Sequence, residues 1–139
     1  MLVGYIEPGP ALAGFTDRIV RAPFQDFINL QRLIGSVEFN LMPLQANVFT
    51  DCKSELKYFE AAAVGTLSIA SPSANYRRAV QHGSLGYIAR AHEWERVLMQ
   101  AMQDGERYTE IACRARDDAL ARYDWQLQRA SIEEAIGWR

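Results

Sequence analysis

The sequence has little of several features that mark particular protein classes. Its only two cysteines, Cys52 and Cys113, are far apart, so they do not form a metal-ligand cluster, and a reducing, cytoplasmic setting is the default expectation. Lys and Arg number 15 against 17 Asp and Glu, and a net charge of −2 does not favour nucleic acid binding. No apolar run approaches the roughly 20 residues of a membrane helix, and we expect no transmembrane segment.

Other absences narrow the functions further. There are no internal repeats and no low-complexity segments. No basic region precedes an apolar segment at the N-terminus, so we expect no signal peptide. No G-x-G-x-x-G follows a predicted strand, which makes a dehydrogenase-type nucleotide site the least favoured hypothesis.

The composition is that of an ordinary globular protein, with 49% hydrophobic and 23% charged residues. A chain of 139 residues can bury a substantial core, so residues 1–139 are predicted to form a single domain. Its first residues, MLVGYI, have the pattern of a strand inside a sheet. We therefore expect the chain to be a piece of a longer protein.

Strand-like and helical segments alternate along the chain. Five strands are predicted, at residues 2–6, 18–21, 37–42, 66–70 and 86–89. Between and after them, apolar residues recur at helical spacing, as in residues 25–34. Such alternation predicts βαβ units, and so a Rossmann-like, three-layer α/β/α sandwich with a parallel sheet of about five strands.

The most informative segment is residues 51–71, DCKSELKYFEAAAVGTLSIAS. It predicts a helix that starts near Lys53, is capped by Thr50 or Asp51 and buries Leu56, Phe59 and Ala63. Gly65 stands where a helix ends in a left-handed residue. The apolar strand that follows, at 66–70, predicts a sheet covered on both faces.

This segment resembles the donor-binding region of retaining, group 1 glycosyltransferases, which have two Rossmann-like domains (the GT-B fold). In that family, a loop between two glutamates opens a helix at the nucleotide diphosphate. Glu60 matches the second glutamate, whereas Cys52 stands at the position of the first. The loop positions are held by Lys53, Ser54, Glu55 and Leu56. The similarity extends over residues 3–125 and includes the Tyr123-Asp124-Trp125 segment before the last helix.

The resemblance implies that the chain is the C-terminal, donor-binding half of an enzyme that transfers sugar from a nucleotide-diphosphate sugar with retention. The diphosphate would lie at Lys53, Ser54 and Leu56, the ribose at Glu60, and the base at Pro23 and Phe24. The acceptor-binding N-terminal half would be missing. No metal and no cofactor are expected, because such folds neutralise the diphosphate with helix dipoles and basic side chains.

The residues themselves leave alternatives open. A helix start with a lysine and a serine suits an anion, but it is equally a solvated helix end. The Glu60 carboxylate could accept two bonds from a ribose diol or pair with Lys57 or Lys53. Tyr76, Arg77 and Arg78 are most simply a solvated helix face, and His82 a turn residue.

The resemblance leaves the catalytic residue unassigned, with Asp51 and Cys52 as the candidates. The thiol of Cys52 cannot supply the charge of the family's glutamate, although Asp51 could act from the next position, or the loop at 45–50 could hold the sugar. An alternative is therefore a truncated Rossmann domain that binds nucleotide or a partner chain without turnover. We expect the isolated chain not to transfer sugar, and we expect an exposed apolar face that promotes homo-oligomers.

Overall fold

The computed structural model describes residues 1–137, which form an α/β domain. Five strands are present: β1 (Leu2–Val3), β2 (Arg21–Ala22), β3 (Phe39–Met42), β4 (Leu67–Ala70) and β5 (Tyr87–Ile88). The helices of the described residues are α1 (Phe27–Ile34), α2 (Val48–Asp51), α3 (Leu56–Ala63), α4 (Ala74–Val80), α5 (Trp94–Gln103), α6 (Gly105–Tyr123) and α7 (Trp125–Ala135). A 3-10 helix spans Pro10–Arg18. Residues 1–137 contain no helix long and apolar enough to cross a membrane.

All strand pairs are parallel, which confirms the predicted α/β class and the count of five strands. The strands nevertheless form two hydrogen-bonded ladders, β1-β2 and β3-β4-β5, where one sheet was predicted. The N-terminal ladder is short for local reasons. Gly4, with φ +84°, ends β1, and Pro23, which has no N–H to donate, follows β2.

Helices cover both faces of the central strand β4, whose four residues are all buried. Leu67 and Ile69 pack in a cluster with Val97 of α5 and Ile111 of α6. Ala70 belongs to a second cluster, in which α3, α4 and the later part of α6 meet. The predicted three-layer arrangement and the two-sided burial of this strand are both confirmed.

The helix predicted to start near Lys53 begins later, at Leu56. A separate short helix, α2, precedes it because the side chains of Asn47 and Thr50 exchange hydrogen bonds with each other's backbone N–H groups in a capping box. Thr50 and Asp51, predicted as caps of the longer helix, therefore lie inside α2. Lys53 lies in the connection between the two helices.

The buried face of α3 differs from the predicted one. Tyr58, Ala61 and Ala62 are buried, whereas Leu56 is 45% exposed. The predicted end is confirmed, because Gly65 adopts φ +79° and donates its N–H to the carbonyl of Ala62. The N–H of Thr66 reaches the carbonyl of Ala61, which completes a Schellman motif.

The N-terminal part of the described residues exposes several large apolar side chains. Helix α1 starts at Phe27, capped by the side chain of Asp26, and has no fully buried residue. Phe24 and Phe27 are 73% and 62% exposed. Large apolar side chains are exposed elsewhere too, including Phe49 and Trp125.

Candidate functional site

The predicted diphosphate residues Lys53, Ser54 and Leu56 line one open cleft of about 350 Å³. The other residues that line it are Leu44, Lys57 and Tyr76. Lys53 and Lys57 are the only two lysines of the sequence, and both therefore border the same cleft. No carboxylate of residues 1–137 lines it, so these residues give the cleft the charge that an anion would favour.

The start of α3 contributes unpaired donors to this cleft. The backbone N–H groups of Leu56 and Lys57 have no acceptor within residues 1–137, as is usual for a first helical turn. Such groups and the helix dipole both attract anions. The residues that line the cleft thus include two lysines and one serine, and two of them, Leu56 and Lys57, have unpaired backbone amides.

The loop that holds Lys53 is fixed to α4 and to α2. The carbonyl of Lys53 accepts a hydrogen bond of 2.7 Å from the side chain of Asn75. The ammonium group of Lys53 lies 4.9 Å from the ring centroid of Phe49, a cation–π contact. Backbone and side chain of this lysine therefore both have defined contacts within the domain.

Glu60, predicted to bind ribose, lies one turn beyond Leu56 on α3 and is half-buried. Burial raises the pKa of its carboxyl group, and Lys57 partly offsets that effect. Glu60 does not line the cleft, but its charge reaches Tyr76, which does. Burial, and then the charges of Glu55 and Glu60, raise the pKa of the Tyr76 hydroxyl.

A second, smaller cavity of about 90 Å³ lies beside the carboxyl ends of β3 and β4. It is lined by residues that follow these strands, together with Asp51 and Arg77. Ligands of parallel sheets commonly bind at such ends, but Lys53 and Ser54 do not line this cavity. Asp51 is already engaged there, because its carboxylate accepts a hydrogen bond of 3.0 Å from the backbone N–H of Ala74.

The other predicted residues lie outside both cavities. Cys52 is exposed and lines neither of them. Pro23 and Phe24 also line neither, and Phe24 stacks instead on Tyr5 with ring centroids 6.4 Å apart. Their assignment to the nucleobase stays a prediction.

Sequence reasoning missed part of the cleft. Lys57 stands four residues after Lys53, and this spacing was its available signal. Tyr76 was assigned to a solvated helix face, which is wrong, since it is 3% exposed. Its neighbour Arg77 is exposed and borders the smaller cavity. His82 is a turn residue, as predicted, and its Nδ1 accepts a hydrogen bond of 3.0 Å from the N–H of Ile88.

Helix α6 carries polar groups that contact α3 next to the cleft. The hydroxyl of Tyr123 donates a hydrogen bond of 2.9 Å to Oε1 of Glu55, the residue that precedes α3. Farther along α3, the hydroxyl of Tyr58 donates to Asp118 at 3.2 Å, and Asp118 also pairs with Arg122. None of these contacts was predicted, because they join residues more than 50 positions apart in the sequence.

Comparisons with known proteins agree with this architecture. No model of a protein family matches the sequence, and no curated protein matches it either. Among solved structures, Anabaena Alr3699/HepE in complex with UDP-glucose is similar, with TM-score 0.78, 18% identity and 91% of this chain covered. The same protein with UDP and glucose gives TM-score 0.77 at 18% identity over 89% of this chain. Sucrose-phosphate synthase from Thermosynechococcus elongatus gives 0.74 at 19% identity over 88% of this chain.

The chain spans about a third of the length of these structures, between 31% and 34%. They are GT-B glycosyltransferases, and the coverage fits one of the two domains of that architecture. The chain therefore has the fold of a Rossmann-like half of a GT-B glycosyltransferase.

Proposed function

We propose that this chain, which has the fold of half a GT-B glycosyltransferase, binds the nucleotide-diphosphate sugar donor of such an enzyme. One observation carries the proposal: both lysines of the chain and the start of α3 border a single cleft, where the resemblance expects the diphosphate. Two of the similar structures hold UDP-glucose or UDP with glucose, which supports a nucleotide sugar as the ligand class.

The cleft suits a diphosphate chemically. Lys53 and Lys57 supply positive charge, the Ser54 hydroxyl donates a hydrogen bond, and the first amides of α3 face an anion favourably. When the sugar leaves, negative charge grows on the diphosphate, so the same groups would stabilise the departing nucleotide. That no metal and no cofactor is needed stays a prediction.

Glu60 is proposed to hold the ribose and Leu56 to contact the nucleotide beside the phosphates. An ionised carboxylate accepts bonds from both hydroxyls of a diol. Its half-buried position makes such bonds stronger than those of a fully exposed glutamate. Pro23 and Phe24 are proposed, from the resemblance alone, to meet the base.

Transfer itself is proposed for a larger protein. Because the chain covers about a third of each similar structure, the acceptor site would lie in a further domain, and the 139-residue chain alone would bind donor without transferring sugar. Retention of configuration, a cytoplasmic location and self-association through the exposed apolar residues all stay predictions.

A second candidate is a domain that binds a nucleotide without catalysing transfer. Two observations favour it: Cys52 stands where the family has a glutamate, and the carboxylate of Asp51 is bonded to the backbone of Ala74. The loop at 45–50 borders the smaller cavity and remains the other candidate for holding the sugar. Both candidates share the same cleft and the same nucleotide.

Calorimetric titration with uridine and UDP tests the shared site. We expect Lys53→Ala to weaken UDP binding roughly tenfold, because it removes one hydrogen bond between the ammonium group and a phosphate. Uridine binding should not change, because uridine has no phosphate. Arg129→Ala removes an exposed cation on α7 and serves as the control. Unaltered UDP affinity in Lys53→Ala, or no UDP binding by the wild type, would overturn the proposal. An assay of sugar transfer by a longer protein that contains this domain and an acceptor domain would distinguish the enzyme from the binding module.

A further inference from the structure

We propose that Tyr123 is a positioning residue that holds the carboxylate of Glu55 outside the donor cleft. This inference rests on the proposed function, because it concerns how the same cleft is kept receptive to phosphate. It assigns a binding role to the end of α6, an element that does not line the cleft.

The chain presents an electrostatic problem at this point. Glu55 stands between Ser54 and Leu56, and both of these neighbours line the cleft. A free carboxylate there would lie beside the unpaired amides at the start of α3, and a helix N-terminus attracts negative charge. It would then occupy the donors that a phosphate needs and repel the phosphate as well.

The observed geometry avoids that problem. The Glu55 side chain makes no capping bond to α3, and the residue does not line the cleft. Its carboxylate accepts the hydrogen bond from Tyr123 instead. Two lysines and no acid of residues 1–137 line the cleft, and the charge of Glu55 reaches it only at the Tyr76 hydroxyl.

Tyr123 is itself held in place. Its ring stacks on Phe59 of α3 with centroids 4.4 Å apart, and the guanidinium of Arg122 lies 5.1 Å from its ring centroid. Arg122 is fixed in turn by its ion pair with Asp118. The hydroxyl thus comes from a rigid contact between α3 and α6, which is what a positioning role requires.

The test measures binding of inorganic pyrophosphate and of UDP by calorimetry. Tyr123→Phe keeps the stacked ring and removes only the hydroxyl, so Glu55 is released. We expect both ligands to bind about three- to tenfold more weakly, because the negative charge of Glu55 then lies within several ångströms of the diphosphate in water. The loss should shrink in high salt, and uridine binding should not change.

A double variant separates charge from structure. In Glu55→Gln the charge is absent, so adding Tyr123→Phe should have no further effect on pyrophosphate or UDP. Glu55→Asp offers an independent check with Tyr123 intact: its shorter carboxylate cannot reach the hydroxyl and should weaken pyrophosphate binding. Tyr87→Phe is the matched control, because Tyr87 donates an equally long bond, 2.9 Å, to Asp104 outside the cleft.

The inference is overturned if Tyr123→Phe and Glu55→Asp bind pyrophosphate like the wild type. It is also overturned if the loss persists in the Glu55→Gln background, or if Tyr87→Phe shows the same loss. Binding of pyrophosphate without binding of UDP would reject the proposed nucleotide function, while the pyrophosphate titrations still decide the role of Tyr123. A wild type that binds neither ligand would reject both proposals.

Discussion

The carboxylate of Asp51 and the backbone N–H of Ala74 are joined by a hydrogen bond of 3.0 Å, which ties the end of α2 to the start of α4. The same two segments are joined again where Asn75 donates to the carbonyl of Lys53. These two bonds fix the loop between the smaller cavity and the larger cleft. Asp51 thereby has a structural task, which is to hold the start of α4.

Replacing Asp51 should therefore lower stability. We expect Asp51→Ala to reduce the free energy of unfolding by about 0.5–2 kcal/mol, the usual cost of losing a side-chain acceptor for a first-turn amide. Urea unfolding would measure it, with Cys52→Ala, a neighbouring change at an exposed side chain, as the control. Equal stability of Asp51→Ala and wild type would show that the bond to Ala74 contributes nothing.

Glu60 should show opposite effects on stability and binding. Because burial raises the pKa of its carboxyl group above 4.5, the folded protein holds this proton more tightly than the unfolded chain does. Ionised Glu60 therefore lowers stability at neutral pH, and Glu60→Gln should be the more stable protein there. The difference should disappear as the pH falls through the raised pKa.

Binding should change in the other direction. Glu60→Gln should weaken uridine and UDP binding by about 1–3 kcal/mol, the range for hydrogen bonds to a charged group. Unfolding curves at several pH values and calorimetry would measure the two effects, with Glu134→Gln on α7 as a control. A variant that is both less stable and fully able to bind would exclude the ribose role.

We expect the folded protein to lose stability at alkaline pH because of three tyrosines. Burial, followed by hydrogen bonds to Asp104 and Glu55 respectively, raises the pKa of Tyr87 and of Tyr123 to about 12, and burial also raises that of Tyr58. In the unfolded chain these groups ionise near pH 10. Their contribution to stability is therefore complete below pH 10 and is lost as the pH rises from 10 towards 12.

The urea midpoint, measured from pH 8 to pH 11, would test this expectation. It should be constant at first and should fall above about pH 10. In Tyr87→Phe the fall should be less steep, because phenylalanine cannot ionise. A midpoint that stays constant to pH 11, or an equally steep fall in the variant, would contradict it.

Local patterns in the sequence were enough for the elements at the centre of the fold. The run of apolar residues at 66–70 predicted a strand buried on both faces, and Gly65 predicted the end of α3 because only a few residues adopt a left-handed backbone readily. The cleft residues Lys53, Ser54 and Leu56 were predicted together, since they are adjacent in the sequence.

Features that depend on distant contacts were not predicted. The start of α3 was misplaced because the Asn47–Thr50 capping box stops an earlier helix, a competition that apolar spacing does not register. Tyr58 is in the core instead of Leu56 because α6 packs against that side of α3 and offers Asp118 to the buried hydroxyl. The contact between Tyr123 and Glu55 has the same origin and leaves no local signal.

Helix α6 is shared between both hydrophobic clusters, and this has a consequence for how the chain folds during synthesis. Ile111 and Ala112 complete the cluster on one side of the sheet, and Ala115 and Ala119 complete the other. A nascent chain that ends before α6 can complete neither cluster, so β3, β4 and β5 must wait on the ribosome until this helix has been made. Domains fold as units during synthesis, and here the unit closes only when residue 119 has left the exit tunnel.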